Sequence, residues 1–145
     1  MLATRYLEFK TRSGEVRDIT ADVEEAVRGC CLQGGLATIF VPGATGAVTT
    51  IEHEDGLVKD LGAALERLAP QGIEYAHNQR WHDGNGHSHI RAAIIGPSLT
   101  VPFGPEGLYL GTWQQIVFLE LDRRPRERRV IVQIMGEEVR PPAAQ

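Results

Sequence analysis

The sequence predicts an α+β fold, a compact single domain with a mostly antiparallel or mixed β-sheet and about three helices. Three observations predict it. About eight short stretches have strand character, three have helical periodicity, and the two kinds interleave without a regular βαβ rhythm. A chain of 145 residues suits one domain and can bury a core without disulfide or metal staples. Its 42% hydrophobic and 23% charged residues are those of an ordinary globular domain.

Residues 3–11 alternate as a strand should, with Leu7 and Phe9 against Tyr6, Glu8 and Lys10. A turn at Arg12-Ser13-Gly14 leads to a second strand over 15–19. Thr20 is placed as a helix N-cap, followed by acidic Asp22, Glu24 and Glu25. Val23, Ala26, Val27 and Cys30 then share one face of a helix over 21–30. Gly34-Gly35 ends that region, 36–41 forms a buried strand, and Pro42-Gly43 breaks it. A further strand covers 47–52. Residues 56–68 form the second helix, with Leu57, Leu61, Ala64, Leu65 and Leu68 on one face and Pro70 and Gly72 beyond its end. The stretch to about residue 86 is predicted to be loop. A third helix is expected over 88–95, where Ala92 and Ala93 favour it and Gly96-Pro97 stops it. Strands over 98–103, 108–110, 115–121 and 130–135 complete the sheet. The arginine-rich run 122–129 is read as a turn and 140–145 as a frayed tail.

The net charge of −4 gives no general attraction to nucleic acid or anionic membrane. Apolar runs are too short to span a bilayer. The N-terminal segment turns charged too soon for a secretory signal, so a cytoplasmic location is expected. Cys30 and Cys31 are adjacent, a spacing that disfavours a mutual disulfide and forms no Cys-x-x-Cys zinc pair.

Four of the five histidines fall in YAHNQRWHDGNGHSHIRA, residues 75–92. Imidazoles ligate metals and exchange protons near neutral pH, so the cluster points to chemistry. His77, His87 and His89 together with a water would make a catalytic zinc arrangement. Their spacing matches no established zinc signature, and acid–base or hydrogen-bonding roles compete with ligation. A helix would turn His87 and His89 roughly 200° apart, unless it begins near Ser88 and leaves His87 in the entering loop. Asp83 is a candidate ligand, orienting group or base, and equally a turn former with Gly84. Glu52, at the end of a buried strand, is a candidate acid or base; a surface ion pair is the alternative. Trp113 and Gln114 serve either a packed core with a satisfied amide or a stacking wall whose edge the amide reads. Arginines 123, 124, 126, 128 and 129 are a solvated turn or a phosphate-holding cluster.

The segments GNGHSHIRAAIIGPSLTVPF and GLYLGTWQQIVFLELDRRPRERRVIVQIMGE closely resemble the YjbQ-type family, often labelled thiamine-phosphate-synthase-like. The resemblance runs from the helix after Thr20 to Gly136. It rests on His-Ser-His, Gly-Pro-Ser, Val-Pro, Gly-Thr-Trp-Gln and the closing Gly-Glu, in order. It implies a compact α+β homotrimer with a histidine-built site and a bound divalent metal, zinc or magnesium. It also implies a weak coupling of a pyrimidine diphosphate with a thiazole phosphate. The family pattern falls on Glu52, His77, Asp83, His89 and the pair Trp113-Gln114. Where many members have His-Thr-Thr, this chain has Gly43-Ala44-Thr45, and it carries the extra His87.

The resulting expectation is a pocket with His77, His87 and His89 as metal ligands and Glu52, Asp83 and Gln114 as catalytic groups. Trp113 and Arg91 would bind a small phosphorylated substrate. A thiamine-phosphate-synthase-like transferase is the first reading. A zinc-assisted hydrolase and a non-catalytic trimer that binds a metal or small ligand are the others.

Overall fold

The computed structural model describes residues 1–139, so the predicted tail over 140–145 lies outside the described residues. Eight strands and four helices follow in the order β1 (Leu2–Lys10), β2 (Val16–Asp18), α1 (Thr20–Arg28), β3 (Leu32–Phe40), β4 (Gly46–Ile51), α2 (Asp55–Leu68), α3 (Ala76–Trp81), α4 (Gly86–Ile95), β5 (Ser98–Gly104), β6 (Gly107–Leu108), β7 (Gln115–Glu120) and β8 (Glu127–Glu138). They make two antiparallel sheets, one ordered β1-β8-β3-β5-β6 and the other β2-β7-β4. The α+β prediction holds, with four helices in place of three.

Period-2 alternation builds the core. On β8, Val130, Val132 and Ile134 point inward; on β3, Ala37 and Ile39 do the same. They meet Ile116 and Phe118 of β7, Val48 of β4, and Val23 and Val27 of α1, all buried. The opposite face of the larger sheet is open. There Met135 of β8 pairs with Leu2 on one side and Leu36 on the other, and Ile131 pairs likewise with Tyr6 and Phe40. Leu2, Tyr6, Leu36, Phe40 and Met135 are all exposed large apolar side chains.

The local departures from the sequence prediction have physical causes. Thr20 is the first helical residue, with Ile19 at the N-cap. The Thr20 hydroxyl accepts from the Ile116 N–H at 2.9 Å, so it ties α1 to β7. Strand β3 continues through Gly34-Gly35, with a register shift against β8 between Leu32 and Gly34, and β8 crowds it there: a Cβ on Gly35 would lie 2.0 Å from the Met135 carbonyl oxygen. Only glycine permits that approach. Helix α3 occupies predicted loop. Six residues cannot hold a helix alone, and here Asn78 helps anchor it, its Oδ1 accepting from the Gly86 N–H at 2.9 Å. His82, with φ 54°, caps the C-terminus of α3, and its N–H donates to the Asn78 carbonyl at 2.7 Å. Strand β8 begins at Glu127, so Arg128 and Arg129 leave the predicted turn for opposite faces of a sheet. Strand β6 is shorter than predicted and ends at Leu108. Cys30 is buried and Cys31 exposed, both as free thiols.

Candidate functional site

Helix α4 separates two depressions, and its starting residue decides which histidine serves which. It begins at Gly86, so His87 is inside the first turn instead of the entering loop. The predicted divergence of His87 and His89 therefore applies. The buried His87 lines a smaller cavity together with Arg91, whereas His89 lines a wide cleft.

The cleft has a volume of about 660 Å³. Its walls come from the β3–β4 turn (Gly43, Ala44, Thr45), the segment before α4 (Asp83, Asn85), His89, and the β7–β8 connection with the start of β8. Arg123, Arg124, Arg126 and Arg128 face it against two aspartates, Asp83 and Asp122, so positive charge is in excess. A buried network holds this wall. Glu120, with no exposed surface, pairs with Arg128 at 2.5 Å and accepts from the Thr11 hydroxyl at 2.7 Å. Arg128 also donates to the Thr45 hydroxyl at 2.9 Å. Asp122 accepts from Arg126 at 2.6 Å, from the Thr45 hydroxyl at 3.1 Å and from the Arg123 N–H at 2.7 Å. Burial pushes the Asp122 carboxyl pKa up. The hydrogen bonds from Thr45, the Arg123 N–H and Arg126, with the Arg126 charge, outweigh burial and lower it below 3.8.

At one edge His77 joins His89, with ring centroids 4.4 Å apart and planes tilted by 41°. His77 Nδ1 is 3.5 Å from Asp83 Oδ1, is buried, and has no hydrogen-bond partner. Asn85 Oδ1 is buried and unpartnered as well. The donor set does not fit the expected zinc centre. His77, His89 and Asp83 are neighbours, but the third predicted nitrogen, on His87, faces the other cavity. Among the described residues no three of His, Cys, Asp and Glu are arranged to hold a metal ion.

The remaining expected site residues lie elsewhere. Arg91 is buried and committed, donating to the Ala69 carbonyl at 3.0 Å and to Glu66 at 2.6 Å, which ties α4 to α2. Glu52 is exposed just past β4; its neighbour Glu54 caps α2 by accepting from the Gly56 and Leu57 N–H groups. Gln114 donates to Thr50 and accepts from the Gly111 N–H, both at 3.0 Å, so its amide fixes the loop before β7. Trp113 stands 72% exposed on that loop, neither in the core nor on the cleft wall. At the position where the resemblance leads one to expect histidine, Gly43 has φ 105°, a conformation that side chains rarely adopt, and a Cβ there would sit 3.5 Å from Arg128 Nη1.

The sequence reading missed Thr45, Asn85, Glu120 and Asp122. A signal for the last two existed: acids at 120 and 122 alternate toward one side, as do arginines at 126 and 128. No helix of the described residues is long and apolar enough to cross a membrane.

The profile of the family described as UPF0047 protein YjbQ-like matches residues 5–137. A UPF0047 protein of Archaeoglobus fulgidus is 40% identical over 121 residues, covering 83% of this chain and 91% of the relative. One from Methanothermobacter thermautotrophicus is 37% identical over 135 residues, 92% of each chain. Among solved structures, a YbjQ-like protein of unknown function from Sulfolobus solfataricus P2 is similar with a TM-score of 0.85 at 31% identity, over 94% of this chain and 100% of that one. A hypothetical protein from Aeropyrum pernix K1 gives 0.80 at 34% identity, over 92% and 99%.

Proposed function

We propose a function for this chain, which belongs to the UPF0047 YjbQ-like family: it binds a phosphorylated small molecule in the arginine-lined cleft and acts on it there. The observation that carries the reading is the convergence of Arg123, Arg124, Arg126 and Arg128 on one cleft, with the His77–His89 pair at its edge. Guanidinium forks match phosphate oxygens and stay charged at all working pH values. The Glu120 and Asp122 carboxylates hold Arg128 and Arg126 in place beforehand, so little ordering is lost on binding.

In the finer form of this reading the reaction is thiamine-phosphate-synthase-like. A diphosphate departs from a pyrimidine as a thiazole phosphate takes its place. The arginines stabilise the charge that develops on the leaving diphosphate. His89 gives it a proton, and His77 with Asp83 beside it replenishes that proton. No step is routed through a metal.

The chain also acts as a homotrimer in this reading, with the open apolar face of the five-stranded sheet as the contact between copies. Five exposed large apolar residues in register are more than a monomer ordinarily leaves to water. Tyr6→Glu and Phe40→Glu should each lower the mass seen by light scattering to that of one chain. Trimers that persist in both would move the contact elsewhere.

The binding test is calorimetric titration with inorganic pyrophosphate. Saturable binding that weakens about tenfold in Arg124→Ala supports the reading. No binding to wild type at low salt would sink it. A second reading rests on the unpartnered His77 Nδ1: His77, His89 and Asp83 close around a zinc ion after a local rearrangement. Elemental analysis of untagged protein decides between them. Stoichiometric zinc that disappears in both His77→Ala and His89→Ala would replace the proton-transfer role with a metal role.

A further inference from the structure

The smaller cavity on the other side of α4 has no part in the proposed function. Its volume is about 210 Å³, the liquid share of roughly seven waters. The wall from α2 is apolar, formed by Val58, Leu61 and Leu65. The charges at its boundary are already paired: Arg91 with Glu66, Glu120 with Arg128, and Asp122 with Arg126. Arg123 directs its guanidinium to the Asp83 carbonyl, on the cleft side. A charged guest would lose water and meet lining charges that, Arg123 apart, are already paired. Two polar groups are left to a guest, the Gln71 amide and the buried His87 imidazole. The nearest partner of His87 Nε2 is the Ser88 hydroxyl at a long 3.4 Å. A neutral imidazole and an amide each donate and accept.

We propose that this cavity is a second ligand site, taking a small uncharged molecule with an apolar body and a carboxamide or hydroxyl group. The apolar body lies against Val58, Leu61 and Leu65, and the polar group bonds to His87 and Gln71. The ring is suited to an uncharged guest, because burial, and then the charges of Arg91 and Arg123, hold it in the neutral form below its ordinary range. Asp122 and Arg123 line both this cavity and the arginine cleft. The two sites therefore share a wall, and the cavity site stands independently of the function proposed above.

Benzamide is the probe, titrated into the full chain and followed by amide and imidazole nitrogen–proton spectra. The expected result is saturable shifts at His87, Gln71 and Leu61. His87→Phe, which keeps an aromatic ring and removes the hydrogen bond, and Leu61→Trp, which fills the cavity, should each weaken binding about tenfold. Melting is measured first; where His87→Phe fails to fold, Leu61→Trp on the partly buried face of α2 carries the test. Shifts absent from the cavity residues, or unchanged by a folded cavity variant, would overturn the site. Pyrophosphate titration of the same samples keeps the two ideas apart. Benzamide binding without pyrophosphate binding retains the cavity site and removes the cleft reading. Pyrophosphate binding without benzamide binding does the reverse.

Discussion

The two sides of α4 are built from adjacent sequence and opposite physics. His89 opens onto a wide cleft where four arginines face two aspartates, whereas His87 is buried beside an apolar wall in a smaller cavity whose charges, Arg123 apart, are paired off. One intervening residue, Ser88, separates them. The difference teaches that a cluster of histidines in sequence is no cluster in space once a helix runs through it. The cleft is organised to attract an anion. The smaller cavity offers an apolar wall and charges that are mostly paired.

Variants can break or sharpen that contrast. The largest effect is expected from Glu120→Gln, because Glu120 lines the cavity while holding the cleft's Arg128. It leaves a buried guanidinium short of its charge partner and should cost about 3–5 kcal/mol in denaturant unfolding. It should weaken pyrophosphate binding too; an unfolding loss below ~1 kcal/mol would show that the pair is not a buried strut. Arg91→Met acts on the cavity side alone. It strips a buried guanidinium bond from the Ala69 carbonyl and should lower stability by about 1–3 kcal/mol, with pyrophosphate affinity unchanged by calorimetry. Arg124→Ala is its mirror: exposed on the cleft rim, it should leave the melting temperature in place and cut pyrophosphate affinity about tenfold.

The smallest effect is a pH dependence. His87 is held below its ordinary 6.5 by burial, then by Arg91 and Arg123. As pH falls below 6.5 the unfolded chain takes up a proton that the folded ring refuses. Stability is therefore full above that value and declines below it until the folded ring also protonates. His87→Asn should flatten this arm in urea titrations between neutral and mildly acidic pH. The depressed Asp122 carboxyl contributes only lower down. Its stabilisation is present above 3.8 and is lost as pH falls through its folded value. An unchanged upper arm in His87→Asn would mean that the ring is not the group responsible.

Much of the fold was legible because local signals sufficed. The α2 stripe of Leu57, Leu61 and Leu65, the Gly96-Pro97 stop after α4 and the alternation of β1 each needed only neighbours in sequence. Helix α3 was illegible because six residues have no period to read and the Asn78 anchor lies in a partner eight positions away. The run through Gly34-Gly35 was illegible because its reason is the Met135 carbonyl on another strand. At the candidate site, residue types were legible and roles were not. The arginines after 122 were visible, but a turn and a strand start look alike until β8 finds β1. Trp113 and Gln114 read either as a packed core with a satisfied amide or as a ligand wall; the amide is satisfied by Thr50 and the Gly111 N–H, while the ring is presented to solvent.

What the sequence determined by itself is therefore the class of fold, the order of most elements, and the presence of histidines, arginines and acids in chemistry-bearing numbers. Periodicity and turn residues act over a few positions, so one dimension carries them. Which of those residues meet was decided by tertiary structure. Glu120 with Arg128, His77 with His89, and the division of His87 from His89 depend on strand register, on a helix start and on burial, and none of these is set by spacing alone.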